Sequence, residues 1–108
     1  MLIMYFDTIP AKAVYMYINK PNCIIVDIRQ CSEYVSGHIP SAVNIPHEQL
    51  QENSCYLEQF EVVVLYCSRG NISLLEARKL HLKNSRVLNV YGGLHAYRGE
   101  LVRGTNSI

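Results

Sequence analysis

One cysteine in the chain stands where a thiol could serve as a nucleophile. The stretch "VVVLYCSRGNIS", Val62 to Ser73, leads five strand-forming residues into Cys67, crosses a polar loop with one glycine, and then begins a helix-like pattern. A thiol just past a buried strand and just before a helix lies where several backbone N–H groups lack intrahelical partners and point toward it. Such amides, each contributing about 1.5–3 kcal/mol to a charged acceptor, favour the ionised sulfur that attacks electrophiles. Gly70 lets the loop curl without a Cβ in the way, so that successive amides converge on one point. Arg69 offers a cation, Ser68 a further donor, and Asn71 and Ser73 read as helix caps or as additional donors. The plainer reading, a cysteine that fills a strand end, fits poorly with so polar a loop at that place. The spacing alone does not name the chemistry.

Three runs would have to position this loop. Ile24 to Ile28, Val62 to Tyr66 and Val87 to Tyr91 are short, rich in β-branched or apolar residues, bounded by polar or turn residues, and without apolar/polar alternation. That pattern predicts parallel strands covered on both faces. Ala42 to Ile45, ending at Pro46, reads as an edge strand, and Met4 to Phe6 as a further one. Helices are expected from about Pro10 to Asn19 with Thr8 as cap, from Ser32 to Gly37, over His47 to Gln51, and from Asn71 to about Lys83. In the last of these, Glu76, Lys79 and Lys83 form a polar strip, and Leu74, Ala77 and Leu80, with Leu75 and Leu82 nearby, form an apolar arc. Strands alternating with helices predict an α/β fold with right-handed crossovers and a ligand site beyond the carboxyl ends of the strands. Cys67 falls at such an end.

The whole chain sets limits on what this site could serve. Its 108 residues suit one domain spanning 1–108, and 49% hydrophobic with 18% charged residues suits a folded protein rather than a disordered one. A net charge of +1, with basic and acidic residues interspersed, gives no clustered basic face and hence no nucleic-acid partner. The opening "MLIMYFDTIP" lacks a positive n-region and meets Asp7 and Pro10 early, which speaks against a signal peptide or a membrane span and for a cytoplasmic protein. Cys23, Cys31, Cys55 and Cys67 contain no C-x-x-C, so neither a zinc ribbon nor a redox dithiol loop is expected.

Two further stretches carry a family resemblance. "VDIRQCSEYVSGHIPSAVNIP", Val26 to Pro46, strongly resembles the first signature of the rhodanese family, D-x-R-x-x-x-E-[FY]-x-x-G-H-I-x-x-A-x-N-[IV]-P. "YCSRGNISLLEARKL", Tyr66 to Leu80, is similar to that family's catalytic loop and following helix, and "VYGGLHAYRGE", Val90 to Glu100, to its last signature. The resemblance implies a mostly parallel sheet of about five strands flanked by helices on both faces. It also implies a sulfurtransferase of the single-domain thiosulfate type that works through a cysteine persulfide without metal or organic cofactor. Carried over, Cys67 would be the nucleophile and sulfur carrier, and Ser68, Arg69, Gly70, Asn71, Ile72 and Ser73 would cradle the charged sulfur and bind substrate. Many members carry an arginine where this chain has Ile72, which leaves Arg69 as the expected substrate cation.

The implied partners are a small-molecule sulfur donor and acceptor, with a thioredoxin-like or other thiol protein as a physiological acceptor; a second reading is a persulfide relay or protein-interaction module with little thiosulfate turnover. Related phosphatases and arsenate reductases use a longer C-x5-R loop, and the sixth position after Cys67 is Ser73, so phosphate would lack its bidentate clamp. No general acid or base is needed, consistent with no histidine adjoining Cys67 in sequence. Asp27, Arg29, Glu33 and His38 are not read as an acid/base cluster: Asp27 and Arg29 are expected to form a structural ion-pair network, His38 to be a satisfied structural histidine, Gly37, Gly92 and Gly93 to serve turns, and Tyr97 to pack in the core. His95 and Arg98 are weaker candidates for substrate contact, and Cys31 for a thiol that resolves Cys67.

Overall fold

Val62 to Tyr66 contains no polar residue but a terminal tyrosine because both faces of its strand are covered. In the computed structural model, which describes residues 6–105, five strands run parallel: β1 (Phe6–Pro10), β2 (Cys23–Asp27), β3 (Val43–Asn44), β4 (Val62–Tyr66) and β5 (Arg86–Tyr91). Their order in the sheet is β1-β5-β4-β2-β3, which puts β4 at the centre and the short β3 at an edge, as its neighbouring Pro46 requires. Residues alternate between two cores. Val63, Leu65 and Cys67 join Ile24, Val26, Ile28 and Val87 against Leu57 of α2 (Ser54–Leu57), Ala77 of α3 (Asn71–Lys79), and Leu80. Val64 and Tyr66 join Ile25, Leu88 and Val90 against Val14, Tyr34 of α1 (Cys31–Ser36), and Leu94 and Ala96 of α4 (Gly93–Ala96). Cys67 therefore continues the face of β4 that looks toward α3, while Tyr66 looks the other way.

Several expected boundaries move, each for a local reason. Met4 and Tyr5 lie outside the described residues, and Phe6 opens β1. Thr8 caps no helix: it lies inside β1, paired with Asn89, and the expected helix is a 3-10 segment over Ala11–Tyr17 entered directly from Pro10. The cap of α1 is Gln30 rather than Ser32, because Gln30 and Glu33 exchange side-chain-to-backbone bonds in a capping box. His47–Gln49 and Gln51–Asn53 are 3-10 turns that run on into α2, which the sequence pattern did not predict.

The helix after Cys67 is shorter than expected. It ends at Lys79, and Leu80 is already extended with φ −83 and ψ 107. Leu80 and Leu82 are buried while His81 and Lys83 are exposed, a strand-like period of two that a helical reading mistakes for an arc. Lys83 accordingly leaves the polar strip and gives its backbone N–H to Glu58 Oε2 at 2.7 Å. Leu75, placed near the apolar arc by its spacing, is instead 54% exposed.

Candidate active site

Cys67 directly follows β4, with its sulfur turned into a tightly packed loop. Its residue is 3% exposed, and its Sγ accepts N–H bonds from Gly70 at 3.1 Å and from Ser73 at 3.3 Å. The curl that aims those amides needs a left-handed residue, and Gly70 supplies it with φ +93. Space is as restrictive as conformation: a Cβ on Gly70 would come within 2.9 Å of Gly92 N and 3.3 Å of Val90 O. From the other side, Leu94 N–H donates to Cys67 O at 2.8 Å and His95 N–H to Ser68 O at 2.9 Å. These bonds hold the loop's carbonyls toward α4, which leaves its amides free to face the sulfur. Gly93, with φ +59, makes the approach possible, since a Cβ there would collide with Cys67 O and Ser68.

The expected loop residues separate into those around the sulfur and those around the opening. Gly70 and Ser73 are buried at the sulfur, whereas Ser68, Arg69, Asn71 and Ile72 are exposed. Neither Asn71 nor Ser73 acts as the expected cap; the helix is capped by Gly70 without a side-chain bond. Ser73 is fully buried and its Oγ lies 3.4 Å from Cys67 Sγ. A cleft of about 260 Å³ opens over the thiol, lined by Cys67, Ser68, Arg69, Asn71 and Ile72 together with Ile28, Arg29, Gln30, Glu33 and His47. Arg69 has no ion pair among the described residues and also borders two adjoining clefts.

Part of this rim was not foreseen. His47 faces the same cleft, so the site does hold an imidazole, with Nδ1 3.7 Å from Glu76 Oε2 and Nε2 3.7 Å from Glu48 Oε2. Its only signal was position, directly after the Pro46 that ends the edge strand. Gln30 belongs to the rim through the α1 cap. Asn89, which touches Ser73, interrupts an otherwise apolar buried strand, and that interruption was the signal.

The first signature builds the floor. Arg29 clasps Asp27 with Nη2 2.7 Å from Oδ2 and also donates to Gly37 O at 2.7 Å. Tyr66 Oη donates to the same carboxylate at 2.7 Å while accepting from Ile39 N–H at 3.1 Å. Burial opposes the Arg29 charge, and the Asp27 bond and charge outweigh it, holding the guanidinium above its ordinary range. Asn44 Nδ2 adds bonds to Asp27 O and Arg29 O, both at 2.9 Å. His38 is buried, stacked on Tyr34 at 3.7 Å, with Nδ1 2.8 Å from Tyr34 O. Gly37 does not need to be glycine for its turn: φ 163 is extended, and a Cβ would meet Leu101 Cδ1 at an ordinary 3.5 Å.

Residues 10–100 match the model of the rhodanese-like domain. The chain belongs to the rhodanese-like family. Relatives include a tRNA sulfurtransferase of Desulfurococcus amylolyticus, 34% identical over an alignment of 101 positions that covers 89% of this chain and 20% of that protein. An adenylyltransferase and sulfurtransferase of Drosophila grimshawi is 30% identical over an alignment of 95 positions that covers 77% of this chain and 20% of that protein. The chain thus spans about a fifth of the length of these curated relatives. A rhodanese-related protein of Thermoplasma volcanium has the same fold, with TM-score 0.69, 28% identity, and coverage of 90% of this chain and 98% of that one.

Among the weaker candidates, His95 lines a cleft adjoining Arg69 and Ser68, while Arg98 turns back to His95 O at 2.9 Å and borders a separate cleft beside Ala11 and Tyr15. Tyr97 packs partly against the core and donates to Glu100 O at 2.9 Å. Cys31 is exposed at the start of α1 and is absent from the residues lining the Cys67 cleft, although its neighbours Gln30 and Glu33 are among them.

Proposed function

We propose that this rhodanese-like chain is a sulfurtransferase that carries sulfane sulfur on Cys67. The thiolate attacks the outer sulfur of a donor such as thiosulfate; the donor's S–S bond breaks, sulfite leaves with the electron pair, and a Cys67 persulfide remains. A thiophilic acceptor, cyanide in an assay or a thiol in the cell, then attacks the outer sulfur, and Cys67 departs as thiolate. The observation that carries this reading is the pair of N–H bonds from Gly70 and Ser73 to Cys67 Sγ. Two donors to a charged acceptor contribute about 1.5–3 kcal/mol each, and they serve in both displacements because negative charge sits on sulfur in each. Sulfite leaves as an anion, so the reaction requires no acid. Arg69, exposed and without an ion pair among the described residues, is the cation for an anionic donor.

A second reading has one observation in its favour. Ile72, 40% exposed in the cleft, stands where many relatives carry a cation, so a protein that delivers sulfur directly would lose less there than thiosulfate would. In that case the chain is a persulfide relay whose partner is another thiol protein. All four cysteines are free thiols, in keeping with a reducing compartment such as the cytoplasm, and no described helix is long and apolar enough to cross a membrane.

Intact mass after incubation with thiosulfate tests the core proposal. The expected result is a gain of one sulfur atom, reversed by cyanide and absent in Cys67→Ser; no gain from any persulfide donor would overturn it. A thiosulfate KM far above cellular levels, with rapid loading from a cysteine desulfurase, selects the relay.

A further inference from the structure

Asn89 is the polar residue in the interior of β5, a strand buried on both faces, and it is only 3% exposed. A buried amide is costly unless its atoms are bonded, and its Oδ1 accepts from Ser73 Oγ at 2.5 Å. Ser73 Oγ is also 3.3 Å from Gly70 O and 3.4 Å from Cys67 Sγ. A hydroxyl has one proton, and both an amide oxygen and a peptide oxygen can only accept. With its proton committed to Oδ1, Oγ turns a lone pair toward the sulfur. Cys67 Sγ therefore meets two donors, the amides of Gly70 and Ser73, and one acceptor, the Ser73 hydroxyl. The amides favour thiolate; the acceptor favours thiol.

We propose that Asn89 is a positioning residue that holds the Ser73 proton away from Cys67 and so sets how much of the sulfur is ionised. Released from Oδ1, the hydroxyl has two acceptors in reach, Gly70 O at 3.3 Å and the sulfur at 3.4 Å, and a thiolate, being charged, draws the stronger bond and gains a third donor. The cradle thus contains its own restraint, one acceptor set against two donors at the sulfur. The charged and titratable side chains that share the cleft are Arg29, Glu33, His47 and Arg69, with His95 in the adjoining one. Substitutions at positions 73 and 89 leave all of them in place, so differences between those variants report the Ser73–Asn89 pair. The inference concerns the same sulfur as the proposed function, but it needs no sulfur donor to test; a chain that fails to transfer sulfur could still pass, and the reverse.

The test is a pH titration of ultraviolet thiolate absorbance, checked by the pH dependence of iodoacetamide alkylation, in protein with Cys23, Cys31 and Cys55 replaced by serine. Asn89→Leu lowers the titration midpoint by about one pH unit, giving about tenfold more thiolate below it. Asn89→Asp, a stronger acceptor with a negative charge, raises the midpoint. Ser73→Ala lowers it, because the thiol loses its acceptor, and in that background Asn89→Leu has no further effect. A buried apolar replacement at position 89 risks the fold, but Ser73→Ala is small and decides the sign alone. A rise on Ser73→Ala would mean that the hydroxyl already donates to sulfur and overturns the inference, as does a shift in the same direction from Leu and Asp at position 89.

Discussion

Tyr66 Oη donates to Asp27 Oδ2 at 2.7 Å, joining the last residue of the central strand to the last residue of its neighbour. Tyr66 and Cys67 are adjacent in sequence and point to opposite faces, so the phenol reaches Asp27 behind the sheet, Arg29 carries that anchor round to the cleft, and the thiol opens in front. The fold positions the sulfur by anchoring its neighbour.

That anchor predicts a loss of stability in alkali. Burial first, and then the Asp27 charge, push the Tyr66 phenol far above its ordinary value near 10. The folded chain holds this proton more tightly than the unfolded chain does. Stability is therefore undiminished below about pH 10 and falls above it, by about 1.4 kcal/mol per pH unit, until the folded phenol ionises. Tyr66→Phe leaves Ile39 N–H without its acceptor and costs about 1–3 kcal/mol at neutral pH. Its alkaline slope is smaller, with a remainder from Tyr34 and Tyr97, both raised by burial. Urea midpoints at about pH 8 and about pH 11 check this; equal slopes in the two proteins would count against it.

Breaking the Asp27–Arg29 pair from one side should be worse than losing Tyr66. The two side chains are 0% and 9% exposed, so Asp27→Ala leaves a guanidinium buried without its partner, at a cost of about 3–5 kcal/mol. Paired replacement by apolar residues should cost less than that single change. Chemical denaturation of the three proteins measures the difference.

Much of this was legible in the sequence, and what was not has physical causes. β2, β4 and β5 announce themselves because strands covered on both faces carry largely apolar runs without alternation, and Cys67 follows from standing between one such run and Gly70. The rim residue His47 was hidden because the sheet brings it to the cleft from a distant stretch, through pairing that no local pattern encodes. Leu80 and Leu82 misled because two leucines spaced by two fit either the tail of a helix or an extended chain. Asn71 and Ser73 have the composition of caps, but Gly70 already takes the left-handed position and Ser73 is drawn inward by Asn89.

Glycine substitutions should sort by geometry rather than by motif. Gly93→Ala must push Cβ into Cys67 O from a left-handed backbone, and Gly70→Val must open the contact with Gly92. Both should lower the rate of persulfide formation at least tenfold, since the amides no longer converge. Gly37→Ala, in extended backbone, should load sulfur at the wild-type rate, as should Lys79→Ala on the exposed side of α3. Stopped-flow loading rates separate the groups, and a Gly93→Ala protein as fast as Gly37→Ala would refute the cradle.

The charge at the mouth should govern the donor more than the chemistry. Arg69 is exposed and has no ion pair among the described residues, so its contribution to an anionic donor is a charge-assisted bond of about 1.5–3 kcal/mol at most, reduced by solvent and salt. Because that bond forms equally with bound donor and transition state, Arg69→Ala should raise the thiosulfate KM about tenfold and leave kcat nearly unchanged. Ile72→Arg adds a cation to the same cleft and should lower that KM, with the gain shrinking as ionic strength rises. Loading from a protein persulfide, which presents no dianion, should respond to neither change by more than about twofold if its docking avoids the loop. A fall in kcat on Arg69→Ala with KM unmoved would instead place this guanidinium on the departing sulfite in the transition state.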